Sequence, residues 1–335
     1  MAAMSAIGPT GNGTNESQLA RALAPPPRGG PFALDDGDSY AAWRDHKLSR
    51  YPTDASALAV EIADLGHPTA SEHAAILARC RLANMAVYAS PRLGRDPVGA
   101  RAALRALGVA FGLVHAEDHR SAEADGIVAI EMADQGGRAG YIPYSNRPIA
   151  WHTDGYYNYH GPARCIQAML LHCVRDAPDG GVNALLDHEI AYIRLRERDP
   201  AFIAALMHPD AMTIPANVEP NGRVRAANTG PVFAVHPATG ALIMRYTART
   251  RSIAWRDDAT TRAAVAFLEQ VLASDPLTIT HRLSPGEGVI CNNVLHTRTG
   301  FLPATTAKSG RLLYRIRYHD RIEDGASRLA PAGAA

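Results

Sequence analysis

Residues 311–318, Arg-Leu-Leu-Tyr-Arg-Ile-Arg-Tyr, constrain the fold of this chain more than any other stretch. Side chains alternate across an extended strand. Arg311, Arg315 and Arg317 therefore share one face, while Leu312, Tyr314, Ile316 and Tyr318 take the other. The apolar face requires a core. Inside a barrel, the arginine face requires carboxylates, because an unpaired guanidinium away from water is costly. The partner is either a protein acid, such as Asp320 or Glu323, or an anionic ligand gripped by two parallel hydrogen bonds.

The remaining elements suit such a strand. Of 335 residues, 47% are hydrophobic, enough for a sizeable core. Residues 1–38, with Pro25-Pro26-Pro27 and Gly29-Gly30, read as a mobile tail. A helical stripe runs over Ser71–Ala89 with Ser71 as N-cap, and another to Leu107 with Asp96 as N-cap and Pro97 in its first turn. Beyond residue 120 the period changes. Strands are expected at 126–131, 140–144, 164–174, 182–186, 288–292 and 311–318, and a hairpin at 231–235 with 242–247. Helices intervene after Asp187, from Pro200 and over Asp258–Ala273. Many strands without βα alternation predict an α+β chain with a mainly β core, a β-sandwich or jelly roll with flanking and inserted helices. One domain is expected over 39–325, with a helical part at 66–110, a β core at about 120–321 and a flexible end at 326–335.

Several function classes drop out. A net charge of +1 with mixed signs offers no basic face for nucleic acid. Cys80, Cys165, Cys173 and Cys291 form no Cys-x-x-Cys pair, so buried thiols are expected rather than a zinc knuckle or disulfides. The chain shows neither a leader pattern nor an apolar run of about 18 residues, so a cytoplasmic location off the membrane is expected. Homo-oligomerisation is left open by the sequence.

The chemistry gathers at Trp151-His-Thr-Asp-Gly155. On an extended segment His152 and Asp154 point to one side, giving two thirds of a facial triad for non-haem Fe(II). The motif alone carries little weight, since chance predicts about 1.4 His-x-Asp/Glu triplets in a chain of this composition. Two others exist, His115-Ala-Glu117 in a polar stretch and His208-Pro-Asp210 in an expected turn. Only the one at 152 follows an aromatic and β-branched run. A third ligand is available far downstream in His296, just past a buried strand.

The order His152-Thr-Asp154, then His296, then Arg311 and Arg315 resembles the Fe(II)/2-oxoglutarate dioxygenases of the taurine dioxygenase superfamily. The Gly180-Gly181 turn, the His236-Pro-x-Thr-Gly240 hairpin and Arg298 fit the same pattern. The resemblance covers about residues 120–321. It implies a double-stranded β-helix in which His152, Asp154 and His296 hold Fe(II). It implies that Arg311 binds the distal carboxylate of 2-oxoglutarate, with Arg315 on a second carboxylate or an acidic substrate group. Asn183 stands where the family often has a threonine on 2-oxoglutarate, and an amide can still donate to a carboxylate. O2 is the second co-substrate. The implied reaction hydroxylates a small polar molecule, carboxylate-bearing or otherwise anionic, releasing succinate and CO2. Asp154 argues against halogenation, which needs a small residue there.

Candidate substrate contacts are Arg245, Tyr156, Tyr157, Asn158, Tyr144 and Asn146, which flank the motifs; Arg249 is a further candidate or a solvated rim residue. Two other readings stay open. The same iron site could desaturate or cyclise an amino-acid-derived intermediate, or the chain could be a non-catalytic β-sandwich that keeps a structural metal.

Overall fold

The computed structural model describes residues 29–93, 96–118, 121–133, 141–218, 222, 224–249, 253–304 and 310–323. Two sheets carry the architecture. Their strands are β1 (Ala59–Glu61), β2 (Met85–Ala89), β3 (Val128–Ile130), β4 (Ile149–His152), β5 (Ala168–Arg175), β6 (Asn183–Leu186), β7 (Ile279–His281), β8 (Glu287–Cys291), β9 (Leu295–Arg298) and β10 (Leu312–Tyr318). The larger sheet has the order β1-β2-β8-β5-β10-β3 and the smaller β7-β6-β9-β4. The β1–β2 pair is parallel; every other pairing in the two sheets is antiparallel.

Alternation divides the larger sheet between two cores. Leu312, Tyr314, Ile316 and Tyr318 join Ala168, Leu170 and Val174 on one face. That face packs on Ile76, Leu77 and Cys80 of helix α3 (Ala70–Ala83) and on Ala100, Leu104 and Leu107 of α4 (Pro97–Ala110). The other face, with Met169, Cys173, Val289 and Leu313, shares a core with Leu185, Leu186 and Leu295 of the smaller sheet. Helices α1 (Gly37–Arg50), α5 (His188–Arg198), α6 (Pro200–Leu206) and α7 (Ala259–Ser274) cover that second core; α2 (Ala55–Leu58) is a single turn. Buried Lys47 of α1 meets Asp187, the α5 N-cap, at 2.6 Å and also contacts Glu189.

Three expectations change. The stripe over Ser71–Ala89 is not one helix. Thr69, not Ser71, caps it, in a reciprocal capping box with Glu72. Asn84 at φ +56 ends it, and Met85–Ala89 becomes β2. A run of alanines and branched residues fits both periods, and an asparagine tolerates the left-handed stop. The expected strand at 140–144 is a 3-10 turn at Ile142–Tyr144, where Pro143 cannot donate to a ladder; residues 134–140 lie outside the described residues. The expected tail also gives way before residue 38. Phe32 is buried, with its ring 5.0 Å from Trp43 and 5.4 Å from Tyr192. Residues 1–28 and 326–335 lie outside the described residues.

All four cysteines are buried, and none forms a disulfide. No described helix is long and apolar enough to cross a membrane.

Candidate metal centre

Strand register brings the two distant histidines together. In the β4–β9 ladder His152 lies directly opposite His296, and directly opposed residues point to the same side. Their rings lie 4.2 Å apart between centroids. Each Nδ1 is 2.9 Å from a carbonyl two residues back, Ala150 for His152 and Val294 for His296. A neutral ring that donates from Nδ1 keeps the Nε2 lone pair for a metal. Burial pushes His152 down to about 3, helped by the charge of His296, and burial likewise lowers His296. Both rings are thus held neutral, as a ligand must be.

Asp154 completes the group. The ligand atoms of His152, Asp154 and His296 lie within 4.8 Å of one another. Strand β4 ends at His152, but the backbone stays tied: Thr153 N donates to Tyr246 O at 3.0 Å. Gly155 then turns at φ +70, and a Cβ there would sit 2.4 Å from Ile166 Cγ1. Asn293, at φ +49, clamps the Asp154 backbone from the other side. Its Oδ1 accepts from Asp154 N at 2.8 Å, and its Nδ2 donates to Asp154 O at 3.0 Å and Ile166 O at 2.9 Å.

Burial alone would raise the Asp154 carboxyl, but Arg315 and Arg317 outweigh it and hold the group below the usual carboxylate range. Arg315 Nη1 donates to Asp154 Oδ1 at 3.0 Å, and Arg317 Nη1 approaches the same oxygen at 3.5 Å. Oδ2 is buried with no hydrogen-bond partner among the described residues. Two neutral imidazoles and an ionised carboxylate with one orphaned oxygen suit a divalent transition metal.

Arg311 lies just before β10, past an irregularity opposite Arg175. It is buried and stacks on Phe301 at 5.2 Å, with Arg298 on the same ring at 4.8 Å. Burial lowers both guanidiniums to about 10, and the charge of Arg311 lowers Arg298 further. Arg298 donates to the carbonyls of Ser145 (3.0 Å) and Arg147, and its Nε is orphaned. Neither arginine has a carboxylate partner among the described residues. Asp320, an alternative partner from the sequence, instead accepts from the backbone N–H groups of Val114 and His115. Two buried cations without an acid fit an anionic ligand.

The other candidates divide. Arg245 is a correction: all five of its N–H donors are taken. They reach the carbonyls of Tyr156, Met212, Gly230 and Asn228 and the Asn228 side chain, at 2.7–3.2 Å. It braces loops and has no donor left for substrate. Asn183 is buried opposite Arg298 in β6, where its amide makes a long 3.4 Å contact to His281 O. The Tyr156 ring stands edge-on to His152 at 6.4 Å. Tyr157 offers its hydroxyl to Arg317 at 3.2 Å. The Asn158 side chain is engaged by His160 at 2.9 Å. Tyr144 is buried, and Asn146 meets Phe301 N through its carbonyl at 3.1 Å.

Sequence reasoning missed Asn293, whose place in an Asn-Asn pair after a buried strand was a turn signal. It also set aside Glu117 as a ligand, and Glu117 is the buried counter-charge of Arg317.

Comparison with known proteins gives concordant results. Residues 94–317 match the family described as taurine catabolism dioxygenase TauD, TfdA family. A uridine-5'-phosphate dioxygenase of an Amycolatopsis species is 33% identical over 147 residues, 43% of this chain and 50% of that protein. The chain thus spans about half the length of this curated relative. An asparagine oxygenase solved with Fe(II), 2S,3S-3-hydroxyasparagine and succinate superposes with a TM-score of 0.52 at 17% identity, covering 95% of this chain and 94% of that one. A candidate alpha-ketoglutarate-dependent taurine dioxygenase from Burkholderia xenovorans gives 0.51 at 18%, covering 80% and 88%. These two structural likenesses are likenesses of fold.

Proposed function

The chain belongs to the taurine catabolism dioxygenase TauD, TfdA family, and from that premise we propose that it hydroxylates a small anionic molecule at an iron held by His152, Asp154 and His296. The enzyme is a dioxygenase that uses Fe(II) and 2-oxoglutarate. The observation that carries the site assignment is the register pairing of His152 with His296 beside an Asp154 with one orphaned oxygen. Strands β3 to β10 alternate largely between the two sheets, which supports a double-stranded β-helix.

When bound, the iron supplies oxidative decarboxylation of 2-oxoglutarate by O2 and the oxidation of substrate. The protein's own groups prepare for this. The Ala150 and Val294 carbonyls fix both imidazole tautomers. Arg315 and Arg317 keep Asp154 ionised and aim it through Oδ1, leaving Oδ2 for the metal. Arg311, with Arg298 beside it, is placed to take the distal carboxylate of 2-oxoglutarate, the charge their burial calls for. Arg315, bound to Asp154, serves the metal carboxylate first; its orphaned Nε leaves one donor for a ligand anion. Asn183 lines the same end through its pairing with Arg298. Tyr156 stands edge-on to His152 and Tyr157 contacts Arg317; in this reading their part, with that of Asn158, Tyr144 and Asn146, is shape and shielding.

The substrate class rests on the cationic surroundings and on the uridine-5'-phosphate relative, which makes uridine 5'-phosphate the first compound to test. The experiment is succinate release under anaerobically loaded Fe(II), with 2-oxoglutarate and O2 added. Release should require iron and rise with substrate. His152→Ala, Asp154→Ala and His296→Ala should each abolish it, and unchanged turnover in any one would remove that residue from the ligand set. Product mass separates outcomes: one oxygen gained means hydroxylation, two hydrogens lost means desaturation or ring closure.

A further inference from the structure

We infer that Arg249 is the residue that holds the anionic group of the substrate at the mouth of the metal site. The inference rests on the reading above that the substrate is a small anion, and it names the group that recognises it. Residues 246–248 run antiparallel to the metal strand. Thr153 N donates to Tyr246 O at 3.0 Å, and Ala248 N donates to Trp151 O at 2.8 Å. This makes Thr247 the cross-strand partner of His152. By alternation Arg249, two residues on, leaves the backbone on the same face as Thr247 and His152.

The side chains bear this placement out. The Arg249 guanidinium lies 5.8 Å from the centre of the Tyr156 ring, and that ring lies 6.4 Å from His152. One buried tyrosine thus separates an exposed cation from a metal ligand. The other arginines here already hold partners: Arg245 has spent every donor on backbone carbonyls and the Asn228 side chain, Arg315 is bound to Asp154, and Arg317 is shared among Asp154, Glu117 and Tyr157. Arg249 has no ion-pair partner among the described residues. A guanidinium over a buried aromatic ring, two residues beyond the bridge to His152 and open to solvent, presents planar donors that match a phosphate or similar oxyanion. A molecule anchored there would lie across Tyr156 with its body toward the metal.

The test compares uridine 5'-phosphate, uridine and inorganic phosphate on the Fe(II)- and 2-oxoglutarate-loaded protein, followed by perturbation of the visible chelate band and by KM and kcat for succinate release. The wild type should bind the phosphate ester more tightly than the nucleoside. In Arg249→Ala that preference should collapse, with Kd for uridine 5'-phosphate rising roughly 10- to 100-fold, the range for a hydrogen-bonded charge. The change should fall on KM rather than kcat, and uridine binding should not move. Arg249→Lys should keep part of the preference. The chelate band without substrate should survive in both variants. Wild-type affinity for the ester in Arg249→Ala overturns the inference. So does a chelate band that neither the ester nor phosphate perturbs in the wild type, and that outcome leaves the dioxygenase reading standing. No chelate band in folded, metal-loaded wild type defeats the dioxygenase reading itself.

Discussion

Replacing Asn293 with alanine should loosen the metal site without touching a ligand. The amide makes three hydrogen bonds, two of them to the Asp154 backbone and one to Ile166 O. Alanine leaves one N–H and two carbonyls unpaired. Each buried orphan costs about 1–3 kcal/mol, so roughly 4 kcal/mol is expected after partial repair by water. Alanine at φ +49 adds about 1 kcal/mol that asparagine largely avoids. At about 2.1 cal/mol/K per residue, a loss of roughly 5 kcal/mol lowers the Tm of a chain this long by about 7 °C. Because the clamp fixes the Asp154 backbone, affinity for Co(II) as a stand-in for Fe(II) should fall about 10- to 100-fold. Asn293→Gly removes the backbone strain but not the lost bonds, so it should recover only about 1 kcal/mol. Asn293→Asp keeps an acceptor for Asp154 N but sets a carboxylate against two carbonyls, so it should resemble alanine near neutral pH. Metal-free melts and a cobalt titration followed by its visible bands read both effects. An alanine variant with wild-type Tm and wild-type cobalt affinity would refute the clamp.

Other outcomes follow from neighbouring features. Gly155→Ala combines a 2.4 Å clash against Ile166 with a positive φ; it should weaken cobalt binding at least about tenfold, and Ile166→Ala should rescue only the steric part. Lys47→Met strands the buried Asp187 carboxylate, which should cost about 3–5 kcal/mol in urea unfolding. His172 is fully buried and pushed down to about 4 by desolvation. Its neutral form therefore adds stability that is complete above the unfolded value near 6.5 and is lost as pH falls toward 4, up to about 3 kcal/mol. His172→Phe should flatten the dependence of unfolding free energy on pH across that window, and an unchanged slope would show that the proton goes elsewhere. Arg311→Ala should abolish the visible 2-oxoglutarate chelate band at matched concentrations while cobalt still binds, since Arg311 touches none of the three ligands.

The sequence made the metal group legible because its parts obey local rules. His152 and Asp154 are two apart, and the parity of Arg315 and Arg317 put both on the face that reaches Asp154. What stayed hidden was non-local. No spacing rule says that His152 pairs with His296 in register, or that Glu117, from a discarded triplet, returns to balance Arg317. Arg245 and Arg249 looked alike in sequence, and only the loops folding over Arg245 separate a brace from an open cation. Helix caps at Asp96 and Asp187 were readable from side chains alone. The switch from α3 to β2 was not, because Asn84 marks it through a backbone angle rather than a pattern.

The pairing of His152 with His296 has a consequence for how such a chain can vary. The spacing between the two imidazoles is set by one rung of a ladder, not by the chain that joins them. The small pairings at Met212–Ile214, Asn228–Gly230 and Ala254–Trp255 supply neither the rung nor a ligand, so they can be varied without altering it. A β9 slip of one residue would turn His296 to the opposite face and end metal binding outright. The scaffold therefore fixes the imidazole pair through sheet register and leaves those small pairings as a wall that loop exchange can vary, provided that the turn carrying Asp154 and its Asn293 clamp is kept.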